Sequence, residues 1–263
     1  MHVPVLLDRC VELLAPALDR PDAFMVDATL GLGGHSEKFL ATFPDLTLIG
    51  VDRDPQALAK AQDRLAQFGE RFVPLAGEHE HLAALLETVN GGRVHAVLFD
   101  LGVSSMQLDE PERGFSYSRE APLDMRMNPQ DELTAAVIVN TYTEQQLVGV
   151  LRDFGEEKSA RRISRAILAA RAIKPITSTT ELAELVREAI PAPAKRTGGN
   201  PAKRTFQALR IEINREIQGL PAAIDAALGA IVVGGRIAVI SYHSLEDRIV
   251  KRRFAKDATE SSP

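Results

Sequence analysis

Phe24-Met-Val-Asp-Ala-Thr-Leu-Gly-Leu-Gly-Gly-His-Ser36 is the stretch whose reading decides the fold. Phe24 to Ala28 reads as a short buried strand. Gly31, Gly33 and Gly34 make a tight turn, and a helical pattern opens at Ser36. A strand that stops at a Gly-rich turn and feeds a helix N-terminus forms the front edge of a nucleotide pocket, because unpaired backbone N–H groups gather there. A second strand, Thr47-Leu-Ile-Gly-Val51, ends on Asp52, 21 positions after Gly31, where a ribose-binding acid is expected.

Outward from this stretch, the pattern repeats. Upstream, residues 3–18 alternate in a helical way and stop at Pro16, an entry helix. Downstream, Asp54-Pro55 opens a helix with Pro in its first turn. Strands are expected at Phe72–Leu75 and Val94–Phe99, with a helix between them on Leu82, Leu85 and Leu86. Strands and helices alternating at this spacing predict an α/β fold with a doubly wound, mostly parallel sheet. From about residue 103 the pattern changes. Residues 103–133 are rich in turn formers and charge, a functional loop by length and composition. Helices are expected at 135–139, 144–154, 160–172 and 180–190, then a basic loop at 191–204. A helix over 205–218 and another over 221–231 return the chain to the sheet. After Gly234-Gly235 comes a late strand, 236–243, and a last helix begins at Asp247. The domain boundaries read from this are 1–105 with 205–263 for the α/β domain, and 106–204 for an all-helical insertion.

The chain has 263 residues, 45% of them hydrophobic and 25% charged, ordinary soluble composition. No apolar run is long enough to span a bilayer, and the N-terminus lacks a basic n-region, so a cytoplasmic protein without membrane association is expected. The single cysteine, Cys10, excludes an intrachain disulfide framework and a Cys-based zinc cluster. His79-Glu-His81 has no third ligand nearby, so no metal is expected. The net charge of −5 hides an asymmetry: residues 1–157 carry 12 basic and 26 acidic side chains, residues 158–210 carry 12 and 3. A basic segment in an acidic protein suits a polyanionic partner, or is a solvated helix face.

The turn reads Gly31-x-Gly33-x-x-Ser36, so the third Gly of a dinucleotide fingerprint is missing, and no phosphate-cradling lysine motif is present. Asp27 precedes the turn and Asp52 ends the second strand. Two flanking carboxylates suit a ligand with a cationic amine and a ribose, and S-adenosylmethionine is such a ligand. A nicotinamide-dependent oxidoreductase is the alternative, which Ser36 and the lack of a hydride-handling site disfavour. Ser241, His243 and Asp247 lack the nucleophile elbow of a hydrolase.

Several runs then carry a resemblance across nearly the whole chain. They include His2-Val-Pro-Val-Leu-Leu7, Asp27 to Ser36, Val51-Asp-Arg-Asp-Pro-Gln-Ala57 and Phe99-Asp-Leu-Gly-Val-Ser-Ser105. Further on come Glu112-Arg-Gly-Phe-Ser116, Pro122-Leu-Asp-Met-Arg-Met127, Gly155-Glu-Glu157, Arg204-Thr-Phe-Gln-Ala208 and Ser241-Tyr-His-Ser-Leu-Glu-Asp-Arg-Ile-Val-Lys251. The chain resembles the bacterial 16S ribosomal RNA cytosine-N4 methyltransferases. The resemblance implies a Rossmann-like methyltransferase sheet, S-adenosylmethionine as methyl donor and a cytidine N4 amine of 16S rRNA, in the decoding region of the small ribosomal subunit, as acceptor. It implies cofactor contacts at Gly33, Gly34, His35, Asp52, His79, Asp100 and Gln107. At His35 the backbone is expected to do the contacting.

Asp100 or Asp124, with loop carbonyls of 100–105, are expected to accept from the target amine, Asp124 being alternatively a loop partner of Arg126. Ser241, Tyr242 and His243 are expected near the target base. With the resemblance, Lys158, Arg161, Arg162 and Arg165 on one helix side and Lys195, Arg196, Lys203 and Arg204 become an RNA-phosphate surface in an RNA-binding insertion. A homodimer is a further expectation. The family continues past the last helix into a final sheet portion, which this sequence does not contain, so those strands are expected to be missing from the sheet. A non-catalytic RNA-binding assembly factor on the same fold is a third reading.

Overall fold

The computed structural model describes residues 4–78, 81–88, 90–104, 106–107, 110–191 and 200–260. The chain divides into two compact units, residues 1–104 with 217–263, and residues 105–216.

The first unit is an α/β sheet. Its elements are α1 (Leu7–Leu18), β1 (Ala23–Asp27), α2 (Gly34–Thr42), β2 (Leu46–Asp52), α3 (Pro55–Leu65), β3 (Phe72–Ala76), α4 (Leu82–Glu87) and β4 (Val94–Asp100). The five strands lie in the order β3-β2-β1-β4-β5, where β5 is Ile231–Ile240, and every pair is parallel. The chain winds outward from β1 to β3, then returns to β4 on the other side of β1. The strand order therefore reverses between β1 and β4, where open α/β sheets hold their ligands.

Successive strand residues point to opposite faces, so each strand feeds two cores. Met25, Leu48, Ala96 and Leu98 pack with Leu14, Leu18, Phe39 and Leu40 of α1 and α2. Val26, Ile49, Val97 and Phe99 pack with Leu82, Leu86, Leu220, Ile224 and Ala227. With both faces covered, the strands read as near-continuous apolar runs. Pro74 is tolerated because β3 is an edge strand. Asp54 caps α3, accepting from the N–H groups of Gln56 and Ala57.

The second unit is helical: α5 (Ala135–Thr141), α6 (Glu144–Asp153), α7 (Ala160–Arg171), α8 (Thr179–Ala189) and α9 (Lys203–Asn214). Thr134 and Ser178 cap α5 and α8, and Thr143 with Gln146 forms a capping box on α6. Ahead of α5, residues 110–134 hold one short 3-10 turn, Pro111–Arg113, and one antiparallel bridge, Pro122 to Ser178.

Four expectations need correction. Pro16 does not stop α1; it lies inside the last turn, and the helix runs on to Leu18. The helix expected over 205–218 breaks at Arg215, which adopts φ 51, and α10 (Glu216–Ala230) carries Pro221 inside it. α9 accordingly belongs to the helical unit. Gly234 and Gly235 lie within β5, opposite an irregularity in the pairing between Val94 and Ala96. Finally, β5 ends at Ile240, so Ser241-Tyr242-His243 is a connection into α11 (Ser244–Glu260) rather than strand.

Candidate functional site

Four strand ends of the α/β unit supply the site. At the end of β1, Asp27 is 1% exposed; Ser36 Oγ donates to its Oδ2 at 2.7 Å and the Thr29 N–H to its Oδ1 at 3.3 Å. Burial raises its pKa, with these bonds and His35 opposing. Asp27 therefore staples the turn to the first turn of α2 and does not face a ligand, which corrects its reading as a pocket-flanking acid. α2 starts at Gly34, and helix geometry leaves the N–H groups of Gly34, His35 and Ser36 without intrahelical acceptors. A side chain on Gly34 would meet Pro4: the built Cβ lies 2.6 Å from Pro4 Cγ. The N-terminal segment thus lies directly on the turn.

Asp52 ends β2. Its Oδ2 accepts from the Gly31 N–H at 2.7 Å and its Oδ1 from the Asp54 N–H at 2.8 Å. Each oxygen keeps a lone pair for a further donor. Burial pushes its pKa up to about 6, the charges of Asp54 and Asp27 add, and the two backbone bonds oppose. The spacing rule that picked Asp52 thus has a physical basis: the same carboxylate that would hold a ribose also holds the glycine turn.

Asp100 ends β4 and is held from three sides. Its N–H donates to Thr29 Oγ1 at 2.6 Å, Tyr242 Oη donates to its Oδ1 at 2.7 Å, and His35 Nδ1 lies 3.5 Å from its Oδ2. The His35 ring is buried, and its Nε2 donates to the Val5 carbonyl at 3.0 Å. The ring itself, not only the backbone, therefore works here, tying the N-terminal segment to Asp100. Burial, the bond to Asp100 and that carboxylate's charge all push the Tyr242 pKa up, so its hydroxyl stays a donor. Cys10 is no nucleophile: burial, aided by Asp100 and Asp27, pushes its thiol up to about 11.

Beyond β5, Glu246 is buried and its Oε2 accepts from the N–H groups of Tyr242 at 2.8 Å and His243 at 3.3 Å. The Glu246 N–H in turn donates to His243 Nδ1 at 3.5 Å. This is a capping box with histidine as the cap residue. His243 Nε2 lies 3.1 Å from Glu246 Oε1 but off the hydrogen-bond direction. The ring is 9% exposed, so His243 serves the turn.

In the helical unit, Gln107 is buried. Both Asp124 oxygens are taken by Arg126, Nε to Oδ1 at 2.8 Å and Nη2 to Oδ2 at 2.7 Å. Of the alternatives for Asp124, the loop partner is what the geometry holds; although burial works to raise its pKa, Arg126 lowers it on balance. On α7, Arg161, Arg162 and Arg165 are exposed while Ile163 and Ile167 are buried, and Lys158, Lys203 and Arg204 are exposed too. Arg165 pairs with Glu144 at 3.1 Å, and Arg204 Nη1 donates to the Glu156 carbonyl at 3.1 Å. His79, Lys195 and Arg196 lie outside the described residues.

The site thus gathers Gly33, Gly34, His35, Asp52 and Asp100 at one edge of the sheet. Sequence reasoning missed Thr29, the Val5 carbonyl and Glu246. The spacing of Asp27 and Thr29 signals the local turn that Asp27 closes on the Thr29 N–H, but the Thr29 hydroxyl meets Asp100 only through the fold. The 142-residue separation of Tyr242 and Asp100 leaves no local signal.

Comparison with known proteins agrees along the whole length. Ribosomal RNA small subunit methyltransferase H of Mycolicibacterium smegmatis is 60% identical over 267 residues, covering 100% of this chain and 72% of that protein. The protein of the same name from Streptomyces avermitilis is 54% identical, covering 100% of this chain and 82% of its own. The one from Frankia alni is 56% identical over 97% of this chain and 78% of its own. The family model described as the MraW methylase family matches residues 1–263, and the chain belongs to that family.

Proposed function

We propose that this chain methylates the N4 amine of a cytidine in 16S rRNA of the small ribosomal subunit, with S-adenosylmethionine as methyl donor. The observation that carries the reading is the pairing of Asp52, bonded to Gly31, with Asp100 across the point where the strand order reverses. The donor set fits the cofactor: the Asp52 carboxylate for a ribose, and α2 N–H groups beside it. Arg64, whose Nη1 donates to the Leu32 carbonyl of the turn, is paired with Glu37 at 2.7 Å. When bound, S-adenosylmethionine supplies an electrophilic methyl group on a sulfonium.

The chain's own residues must then make a weak nucleophile attack in line. The cytosine amine is weak because its lone pair is delocalised into the ring. Positioning supplies much of the rate. Asp100 is the acceptor assigned to the amine N–H, raising its nucleophilicity and taking up developing positive charge. Tyr242, donating to Oδ1, orients that carboxylate, while Thr29 holds the Asp100 backbone N–H and His35 lies beside Oδ2. Asp124, committed to Arg126, orders its loop instead. Gln107 and His79 complete the proposed cofactor contacts.

The base must leave its stack to be reached. Arg161, Arg162, Arg165, Lys203 and Arg204 are assigned to RNA phosphates, which makes residues 106–204 an RNA-binding subdomain. No helix among the described residues is long and apolar enough to cross a membrane. The same reading places the protein in the cytoplasm and, as a homodimer, predicts twice the monomer mass by light scattering.

Transfer of a tritiated methyl group to small subunits from cells lacking the activity tests the proposal. Nuclease digestion and mass mapping should place the label on one cytidine N4. A label elsewhere, none at all, or calorimetric binding of NAD in place of S-adenosylmethionine would overturn it.

A further inference from the structure

Tyr242 is the residue in the α/β unit whose treatment by the fold calls for an explanation. Its backbone N–H is bonded to the buried Glu246 carboxylate at 2.8 Å. Its hydroxyl is bonded to Asp100 at 2.7 Å. Its ring edge lies against Gly102, where φ is +95 and a built Cβ would sit 3.4 Å from Tyr242 Cδ2. A β-carbon at 102 would touch the ring at ordinary contact distance, and the positive φ there favours glycine. The side chain is anchored at its hydroxyl and its backbone is held by Glu246, yet it is 53% exposed, while Ile240 two residues earlier is 8% exposed. Scattered exposed apolar residues are normal and usually mobile. An exposed aromatic ring immobilised next to a proposed acceptor carboxylate is a different object.

We infer that the exposed face of the Tyr242 ring, braced by Asp100 and Gly102, is the platform on which the extruded pyrimidine stacks. The inference rests on the proposed RNA substrate and deepens it. Every base offers a π-face, so stacking tolerates sequence but sets the plane and height of the ring that carries the amine. A platform ordered before binding loses little freedom when the base arrives. The 2.7 Å bond also sets the distance between that plane and Asp100, so one residue couples base height to the acceptor. His243, which the sequence grouped with Tyr242, is excluded because its ring is held by Glu246.

The test uses small subunits reconstituted with 5-iodocytidine-substituted 16S RNA, irradiated with the full chain, with cross-linked peptides identified by mass spectrometry. A stacked platform predicts a cross-link at position 242 in the wild type and in Tyr242→Phe, and its loss in Tyr242→Leu. Steady-state kinetics should show KM for the RNA raised about tenfold or more in Tyr242→Leu, from the missing stacking. Tyr242→Phe should keep that KM and lower kcat. Cross-links only at other peptides, an unchanged RNA KM in Tyr242→Leu, or a rise in cofactor KM alone would overturn the platform. A wild type that cross-links at 242 but transfers no methyl to cytidine would instead refute the proposed reaction.

Discussion

The glycine-turn region of the α/β unit and the 110–134 segment of the helical unit are both irregular connections, yet they are held by different means. Around the turn, the sheet does the placing. Parallel register brings the ends of β1, β2 and β4 level, and the side chains there need only short bonds: Asp52 to Gly31, Thr29 to Asp100, Ser36 to Asp27. The 110–134 segment has a single bridge, Pro122 to Ser178, and a few backbone bonds around it. Long donors add to these: Arg113 to the carbonyls of Arg126 and Met127, Arg126 to those of Pro129 and Asp131, and Asn214 across the segment. Where a sheet fixes the backbone, side chains remain available for ligands. Where side chains must fix the backbone, they are consumed by it, and Asp124 is an instance.

Removing the central latch of the second region should give the largest effect. Asn214 is buried; it accepts from the Met127 N–H at 2.7 Å and donates to the Met125 and Arg210 carbonyls at 2.9 Å each. Met125 adopts φ 65, a conformation that favours glycine and persists only when its surroundings impose it. Asn214→Ala leaves a buried donor and acceptor of the loop unpaired, and should cost about 2–4 kcal/mol in urea denaturation. A loss below that of an ordinary surface substitution would mean the segment holds itself, and the contrast with the sheet would collapse.

That same latch marks the limit of what the sequence disclosed. The strands β1 to β4 were legible to within two residues, because apolar runs, glycine turns and Asp-Pro caps are local signals. Helices α5 to α8 were legible for the same reason. The break at Arg215 was not, since a non-glycine residue with positive φ leaves no compositional mark, and Pro221 misdirected the helix start. Asp52 was read from its place at a strand end, its spacing from Gly31 and the family resemblance. The bonds of Asn214 to residues 87 and 89 positions away, and of Tyr242 to Asp100, depend on tertiary closure and have no period to detect.

The α/β site should respond through the ligand. Asp52→Ala should weaken S-adenosylmethionine binding by about 1–3 kcal/mol, since a charged acceptor is removed from sugar hydroxyls. With its pKa raised to about 6, Asp52 holds its proton more tightly in the folded chain than in the unfolded one. Its contribution to stability is therefore complete below the ordinary carboxyl value of 3.8 and lost as pH rises through about 6. Cofactor affinity runs the opposite way, because the ionised form accepts the hydroxyls. Calorimetry on the wild type should show affinity falling about tenfold at one pH unit below that value, and Asp52→Asn should abolish the dependence. A pH-independent affinity in the wild type would take Asp52 out of the ribose role.

The smallest effect sharpens the comparison at the surface of the helical unit. If side chains there are consumed by the fold, the exceptions are the ones free to meet a partner. Arg161 and Arg162 are exposed on α7, and Arg165, also exposed, has only the solvent-facing Glu144 as partner. An exposed pair of this kind contributes little to stability. Replacing Arg161 and Arg165 with Gln should therefore leave the denaturation midpoint unchanged. It should weaken RNA binding modestly and reduce the slope of log affinity against log salt by about 1 for each phosphate no longer neutralised. Filter binding at several salt concentrations reads both quantities, and calorimetry should find S-adenosylmethionine affinity unaltered. An unaltered salt slope would return α7 to the status of a solvated face and move the RNA interface to other cations of the chain. A lowered midpoint would show that even these arginines are spent on the fold, which would extend the rule drawn from Asp124 to the surface of the unit.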